Sequence, residues 1–250
     1  MSPTAGRDMV PELQRELQTA RDELDAFTYA VSHDLRAPLR HIQAFAQIIG
    51  EDWPAMPTEV AGHLATIGQS AQLLTRQLDG LTALSRLAQL PLQLALVDVA
   101  VSVSDAVASL WPAAVPRPID WQIAPELPQL WADAVMLQQV LGCVLDNAVK
   151  FTRHRSPALV QVSGEWLPDG GGMLTIADNG VGFKPEQASQ LFRVFSRLHP
   201  VREFDGLGLG LVRCRKLMAR MGGRIEITAE PERGCKVTLR FSAPPKFAPD

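Results

Sequence analysis

From Val10 the apolar positions fall at Val10, Leu13, Leu17, Ala20, Leu24, Phe27 and Val31, alternating steps of three and four that form a heptad seam. The residues between them, among them Glu12, Gln14, Arg15, Glu16, Gln18, Arg21, Asp22 and Glu23, are polar almost without exception. So narrow a stripe has little to bury except against a twin, and the pattern predicts a dimeric coiled coil. After Val31 the series shifts to Leu35, Leu39, Ile42, Phe45 (or Ala46) and Ile49, an offset of the stutter type. Pro38 follows the shift, and a proline inside a helix removes a hydrogen bond, so the stretch reads as a helix built to bend. The segment DWPAMPT at 52–58 breaks the helix, and Thr58 is placed to cap a second one running to about Leu87. Two long helices joined by a short loop make an antiparallel hairpin, and two hairpins make a four-helix dimer.

Beyond Pro91 the texture changes to short alternating runs at 119–123, 159–166, 173–177, 224–228 and 236–241, which predict strands. Helical spacing recurs at 99–110, 133–151, 185–192 and 209–221. The mixture predicts an α+β sandwich, a sheet with helices on one face. The glycine run DGGG at 169–172 supplies a hairpin turn between two strands. The expected organisation is a coiled-coil linker over 1–26, a helical hairpin over 27–92, the sandwich over 93–243 and a disordered tail over 244–250.

A chain of 250 residues with 46% hydrophobic content has material for two modest cores, and a net charge of −3 gives no general attraction to nucleic acid or an anionic membrane. Cys143, Cys214 and Cys235 are far apart in sequence with no CxxC pair, which argues against a disulfide framework or a zinc site and suits a reducing compartment. The first residues carry no apolar signal region, and charged or polar residues interrupt every stretch long enough to span a bilayer. A soluble, cytoplasmic protein is expected. The remaining histidines, His41, His63, His154 and His199, show no metal-site pairing and read as surface or lid residues, and Trp53 and Trp111 read as packing residues.

His33 lies in FTYAVSHDLRAPLRHI, two positions after Val31, and is therefore expected to face solvent rather than the seam. Asp34 follows it, and a carboxylate accepting the Nδ1 proton would leave the Nε2 lone pair free to attack. An isolated His-Asp pair is usually an ordinary surface pair; the rest of the chain changes that reading. In LQQVLGCVLDNAVKFT, Asn147 and Lys150 stand three apart on one helix face, a hard oxygen suited to Mg²⁺ and an ammonium suited to phosphate. In ADNGVGF, Asp178 ends a strand ahead of two glycines, where a carboxylate can accept from the exocyclic amine of adenine. In GLGLGL, three alternate glycines open a helix, where free N–H groups favour phosphate.

In this order the pieces resemble the two-component sensor histidine kinases over residues 20–242. SHDLRAPL is similar to the family's phospho-acceptor box, LGCVLDNAVKFT to its N box and DNGVGF to its first glycine box. LFRVFSRLH is similar to its phenylalanine box and GLGLGL to its second glycine box, while RLHPVREFDGLGLGL resembles the phytochrome-like branch. The resemblance implies a dimerisation and phosphotransfer hairpin forming a dimeric four-helix bundle, followed by a Bergerat-type α/β sandwich of the kind shared with gyrase-type ATPases. It implies ATP and Mg²⁺ as cofactors. It makes His33 the phospho-acceptor, Asp34 its orienting base, Asn147 a Mg²⁺ ligand, Lys150 a phosphate contact and Asp178 the adenine reader. Gly180, Gly182, Gly206, Gly208 and Gly210 would shape the nucleotide pocket and its lid, Arg197 would reach the γ-phosphate from the lid, and Phe192 and Phe195 would anchor the lid by packing. The implied partners are a second copy of the chain, the receiver domain of a response regulator and a separate sensor protein.

Three positions depart from the family pattern. Cys143 stands where a second asparagine is usual, and a thiol is a poor Mg²⁺ ligand. Ala37 replaces the Thr or Asn that orients a dephosphorylating water, which predicts weak or absent phosphatase activity. Leu207 replaces a common threonine without touching the glycines. The rival readings are a degenerate nucleotide-binding scaffold without phosphotransfer, which Cys143 favours, and a gyrase-like or chaperone-like ATPase, which the His33 box opposes.

Overall fold

The structure, a computed structural model, describes residues 5–110, 117–200 and 203–245. The chain divides into two compact units, Met1–Gln89 and Leu90–Asp250.

In the first unit, α1 (Ala5–Asp52) and α2 (Thr58–Arg86) pack as a helical hairpin. The helix α1 runs unbroken through Pro38. At the start of α2 the capping position is Pro57 and no side chain caps the helix, so Thr58 is its first helical residue rather than its cap. Arg36 ties the two helices together: its Nε and Nη2 donate to Oδ1 of Asp79 at 3.1 and 2.9 Å, and Nη2 also reaches Oγ1 of Thr82 at 3.3 Å. Leu39, Ala71 and Leu84 are buried, whereas Leu24, Phe27 and Phe45 are each more than 60% exposed. A single hairpin therefore leaves much of the apolar seam uncovered. Trp53, expected to pack, is 48% exposed, and Trp111 lies outside the described residues.

In the second unit a five-stranded sheet has the order β2-β4-β5-β7-β6, built from β2 (Ile119–Ile123), β4 (Ala158–Trp166), β5 (Gly172–Asp178), β6 (Arg224–Glu230) and β7 (Gly234–Phe241). Among the described residues, β2 and β4 pair parallel and the other neighbours in this sheet antiparallel. Alternation decides which face is covered. Val162, Ile176 and Val237 stand in one row across β4, β5 and β7, Leu174 and Leu239 stand in the next, and all five are buried. The helices α3 (Val99–Leu110), α4 (Ala134–Phe151) and α5 (Gly210–Arg220) pack side by side in sequence order, and α4 rests on β4 and β5. Two strands escaped the sequence reading: β1 (Ala95–Asp98) and β3 (Gln129–Ala132), four residues each, pair antiparallel in a separate small sheet. The hairpin turn at 167–171 closes as expected, with Leu167 N–H donating to the Gly171 carbonyl at 2.9 Å.

Helix α4 is fixed at both ends. Oδ1 of Asp133 accepts from the amide of Met136 at 3.0 Å, an N-cap. At the other end the Arg117 guanidinium donates to the carbonyls of Val149 and Thr152, at 2.5 and 2.8 Å, satisfying acceptors that the helix leaves open. Along one face Leu137, Val140, Leu141, Val144 and Leu145 are buried. Each such side chain is worth about 1.5 to 3 kcal/mol of burial, so the helix has no freedom to rotate its opposite face away from the site.

Candidate nucleotide site and phospho-acceptor histidine

A cavity of about 510 Å³ opens in the second unit. It is lined by Asn147 and Lys150 from α4, Asp178 from the end of β5, and Gly182, Arg197, Gly206, Gly208 and Gly210 from the segments that follow. These are eight of the nine nucleotide-site residues expected from the sequence. The ninth, Gly180, stands just behind the lining, where its amide donates to Oδ1 of Asp178 at 2.8 Å.

The chemistry of each group is set by its neighbours. Lys150 Nζ donates to Oδ1 of Asn147 at 3.3 Å and to the Asp205 carbonyl at 3.0 Å, so the three-residue spacing does bring the ammonium and the carboxamide together. Burial lowers the Lys150 pKa, with the nearby Asp146 carboxylate opposing that shift. Asp178 is pushed up to about 6 by burial, against the amides of Gly180 and Cys235, which both donate to Oδ1. Its Oδ2 has no partner among the described residues. The Arg197 guanidinium is occupied: it donates to the Gly206 carbonyl at 2.6 Å and to the Phe204 carbonyl, bracing the loop that leads into α5.

Helix α5 begins at Gly210 with Leu209 at the capping position and no side-chain cap, and Gly210 and Leu211 line the cavity. The first amides of α5 therefore lie at the cavity wall without a side-chain partner among the described residues, an arrangement suited to an anion. Gly182 is required by sterics rather than by ligand approach. Its φ is +58°, and a Cβ there would stand 2.0 Å from the Glu230 carbonyl oxygen.

Several supporting residues were not singled out from the sequence. Asn179 bridges two chain segments, its Oδ1 accepting from the Leu159 amide and its Nδ2 donating to the Pro157 carbonyl, both at 3.0 Å. Arg155 donates to the Gly180 carbonyl at 3.0 Å and to the Glu232 carboxylate at 2.8 Å, tying the first glycine loop to the turn between β6 and β7. Phe204, ahead of α5, is buried, and its ring lies 4.9 Å from that of Phe151 and 5.4 Å from that of His199. Phe195 is 36% exposed, and Phe192 is packed by the Arg215 guanidinium, 4.9 Å from its ring. The doublet EF at 203–204 carries no periodic signal, which is why Phe204 was missed.

In the first unit the His33 and Asp34 side chains are 67% and 82% exposed, with Nδ1 of His33 at 3.2 Å from Oδ1 of Asp34. The preceding Ser32 is buried, and its hydroxyl has no partner among the described residues.

Comparison with known proteins fits both units. Residues 23–90 match the His Kinase A (phospho-acceptor) domain, and residues 132–245 match the histidine kinase-, DNA gyrase B-, and HSP90-like ATPase domain. The chain belongs to the two-component sensor histidine kinases. It is 26% identical to phytochrome-like protein Cph1 of Synechocystis sp., over 93% of this chain and 31% of that protein. It is 30% identical to the methanogenesis regulatory histidine kinase FilI of Methanothrix harundinacea, over 92% of this chain and 26% of that protein. The chain thus spans less than a third of the length of these relatives. Among solved structures, full-length ShkA in complex with AMPPNP shares the fold at a TM-score of 0.60 and 24% identity, over 88% of this chain and 46% of that one. The Acinetobacter baumannii histidine kinase AdeS does so at 0.58 and 21%, over 85% and 98%. No helix among the described residues is long and apolar enough to cross a membrane.

Proposed function

We propose that this kinase binds Mg·ATP in the cavity of its second unit, transfers the γ-phosphate to Nε2 of His33, and passes the phosphoryl group to an aspartate on the receiver domain of a response regulator. The observation that carries the reading is the convergence on one cavity of Asn147, Lys150, Asp178 and the glycines at 206, 208 and 210, residues spread over more than sixty positions of the chain. In this reading Oδ2 of Asp178 accepts from the adenine amine, while Lys150 and the amides at the start of α5 meet phosphate oxygens. Asn147 is the residue that would hold Mg²⁺, which takes its other ligands from phosphates and water. The fit requires Lys150 to leave Oδ1 of Asn147 for a phosphate. When bound, the ion neutralises charge on the phosphates and orients them.

At His33, Asp34 accepts the Nδ1 hydrogen and holds the tautomer whose Nε2 lone pair is free. Nε2 forms the new P–N bond as the bond between the γ-phosphorus and the β,γ-bridging oxygen breaks and ADP leaves. A second copy of the chain completes the first unit as a four-helix dimer with a coiled-coil extension; the exposed Leu24, Phe27 and Phe45 support it. The rival scaffold reading rests on Cys143 at the cavity wall, four residues before Asn147.

The test is phosphoryl transfer. Labelled protein freed of ATP is mixed with receiver domains from the same organism. Loss of label from the chain with its appearance on one receiver is the expected result, and label that stays on the chain with every receiver removes the second half of the reaction.

A further inference from the structure

The cavity holds a pair of groups that phosphoryl transfer does not use. Cys143 on α4 lines the cavity, and Cys214 on α5 is wholly buried behind it. Their helices pack against each other, and Cys214 is the neighbour that acts most strongly on the Cys143 thiol. Each sulfur is seated against the other helix. A Cβ on Gly210, one turn before Cys214, would lie 2.7 Å from Sγ of Cys143, and Sγ of Cys214 lies 3.9 Å from the carbonyl of Val140, one turn before Cys143. Two cations face the cavity beside them: Lys150, and Arg213, whose Nε is buried without a partner among the described residues.

The environment splits the roles of the two sulfurs. The hydrogen bond from Cys214 lowers the Cys143 pKa against its own burial, and the Arg213 and Lys150 charges act in the same direction. The Cys214 thiol is raised well above its ordinary value, first by that same bond and then by burial. A thiolate-prone sulfur on a cavity wall with a second thiol on the helix packed against it is the arrangement of an attacking and a resolving cysteine. The third cysteine, Cys235, is held as a thiol by burial, which pushes it up to about 12.

We propose that Cys143 and Cys214 are a hydroperoxide-reactive thiol pair that closes reversibly into a disulfide in the wall of the nucleotide cavity, so that oxidation and nucleotide binding oppose each other. The Cys143 thiolate attacks the distal oxygen of the hydroperoxide. An S–O bond forms, the O–O bond breaks, and the leaving alkoxide or hydroxide takes up a proton. Sulfur has then lost two electrons to the peroxide and is a sulfenic acid. Cys214 attacks that sulfur; the S–S bond forms, the S–O bond breaks, and hydroxide departs as water with the Cys214 proton. A dithiol reductant reverses the change. Because Cys143 lies one turn before Asn147 on α4 and its sulfur touches Gly210 at the mouth of α5, the bond locks together the two elements that would hold metal and phosphate. A bound nucleotide, in turn, shields the thiolate.

The nucleotide part rests on the ATP reading above; the thiol chemistry does not. The experiment treats the full chain with hydrogen peroxide, alkylates the remaining thiols after unfolding and maps peptides without reduction. The expected product is two hydrogens lighter, joins the Cys143 and Cys214 peptides and leaves Cys235 alkylated. In Cys214→Ala the expected product is one oxygen heavier at Cys143 and is trapped by dimedone. Saturating ATP should slow the reaction about tenfold, and the oxidised protein should bind a fluorescent ATP analogue about tenfold more weakly until reduced. Thiols that stay reduced, or a disulfide that uses Cys235 or joins two chains, would overturn the pairing. A Cys143–Cys214 disulfide with unchanged nucleotide affinity would overturn the opposition. Reduced protein that binds no nucleotide, yet forms the disulfide, points to failure of the ATP reading alone.

Discussion

Nδ1 of His33 stands 3.2 Å from Oδ1 of Asp34, its neighbour in the chain, on a stretch of α1 where both side chains face water. Exposure makes this pair weak as an ion pair, so its value lies in orientation. A carboxamide can donate to Nδ1 as well as accept from it, so exchanging the carboxylate for one releases the tautomer rather than the fold. Asp34→Asn should therefore lower the autophosphorylation rate by about 10²-fold or more, with ATP affinity and thermal melting unchanged. Rapid-quench labelling together with nucleotide titration checks this.

Asp178 gives the account a pH dependence. Its folded pKa, about 6, is raised above the usual carboxylate value by burial. The ionised form accepts from an amine and the protonated form offers a hydrogen instead, so ATP affinity should be full above pH 6 and fall as pH drops through it. Stability carries the opposite sign. The folded state is penalised for holding the charge, and the penalty grows as pH rises from the unfolded value to about 6. Asp178→Asn should weaken ATP binding and flatten the affinity profile between pH 5 and 7, as read by calorimetry.

Phe204 is 2% exposed and packs on Phe151 and His199. Phe204→Ala should cost about 3 kcal/mol in urea unfolding of the second unit. Phe195→Ala, at an exposed position, should cost less than about 0.5 kcal/mol.

Cys143 bears on the metal. Exchanging its sulfur for a carboxamide adds a hard oxygen one turn before Asn147, so Cys143→Asn should reduce the Mg²⁺ concentration needed for half-maximal ATP binding by several-fold. An unchanged or higher Mg²⁺ requirement would place the ion elsewhere. Asn147→Ala should raise that requirement.

The elements with long, regular apolar spacing were legible from the sequence, and so were the residues that glycine-rich motifs surround. The hairpin helices, α4 and all five strands of the main sheet follow from periodicity, and Asn147, Lys150 and Asp178 meet as their spacing and motifs indicated. β1 and β3 were not legible, because four residues are too few to display a period and their pairing partners lie more than thirty positions apart. The roles of Asn179 and Arg155 were hidden for another reason. Both act by donating or accepting at backbone atoms of distant segments, and no local pattern encodes such a partner. Thr58 was misassigned by one position because Pro57, with its fixed φ, already ends the loop and enters the cap.

The central claim is that the phosphate of ATP reaches His33. The full chain incubated with γ-labelled ATP and Mg²⁺, alongside His33→Gln, measures it directly. The account predicts protein-bound label that acid removes and alkali spares, present in the wild type and absent from the variant. Label that persists in His33→Gln, or nucleotide binding with no label on the wild type, would contradict it.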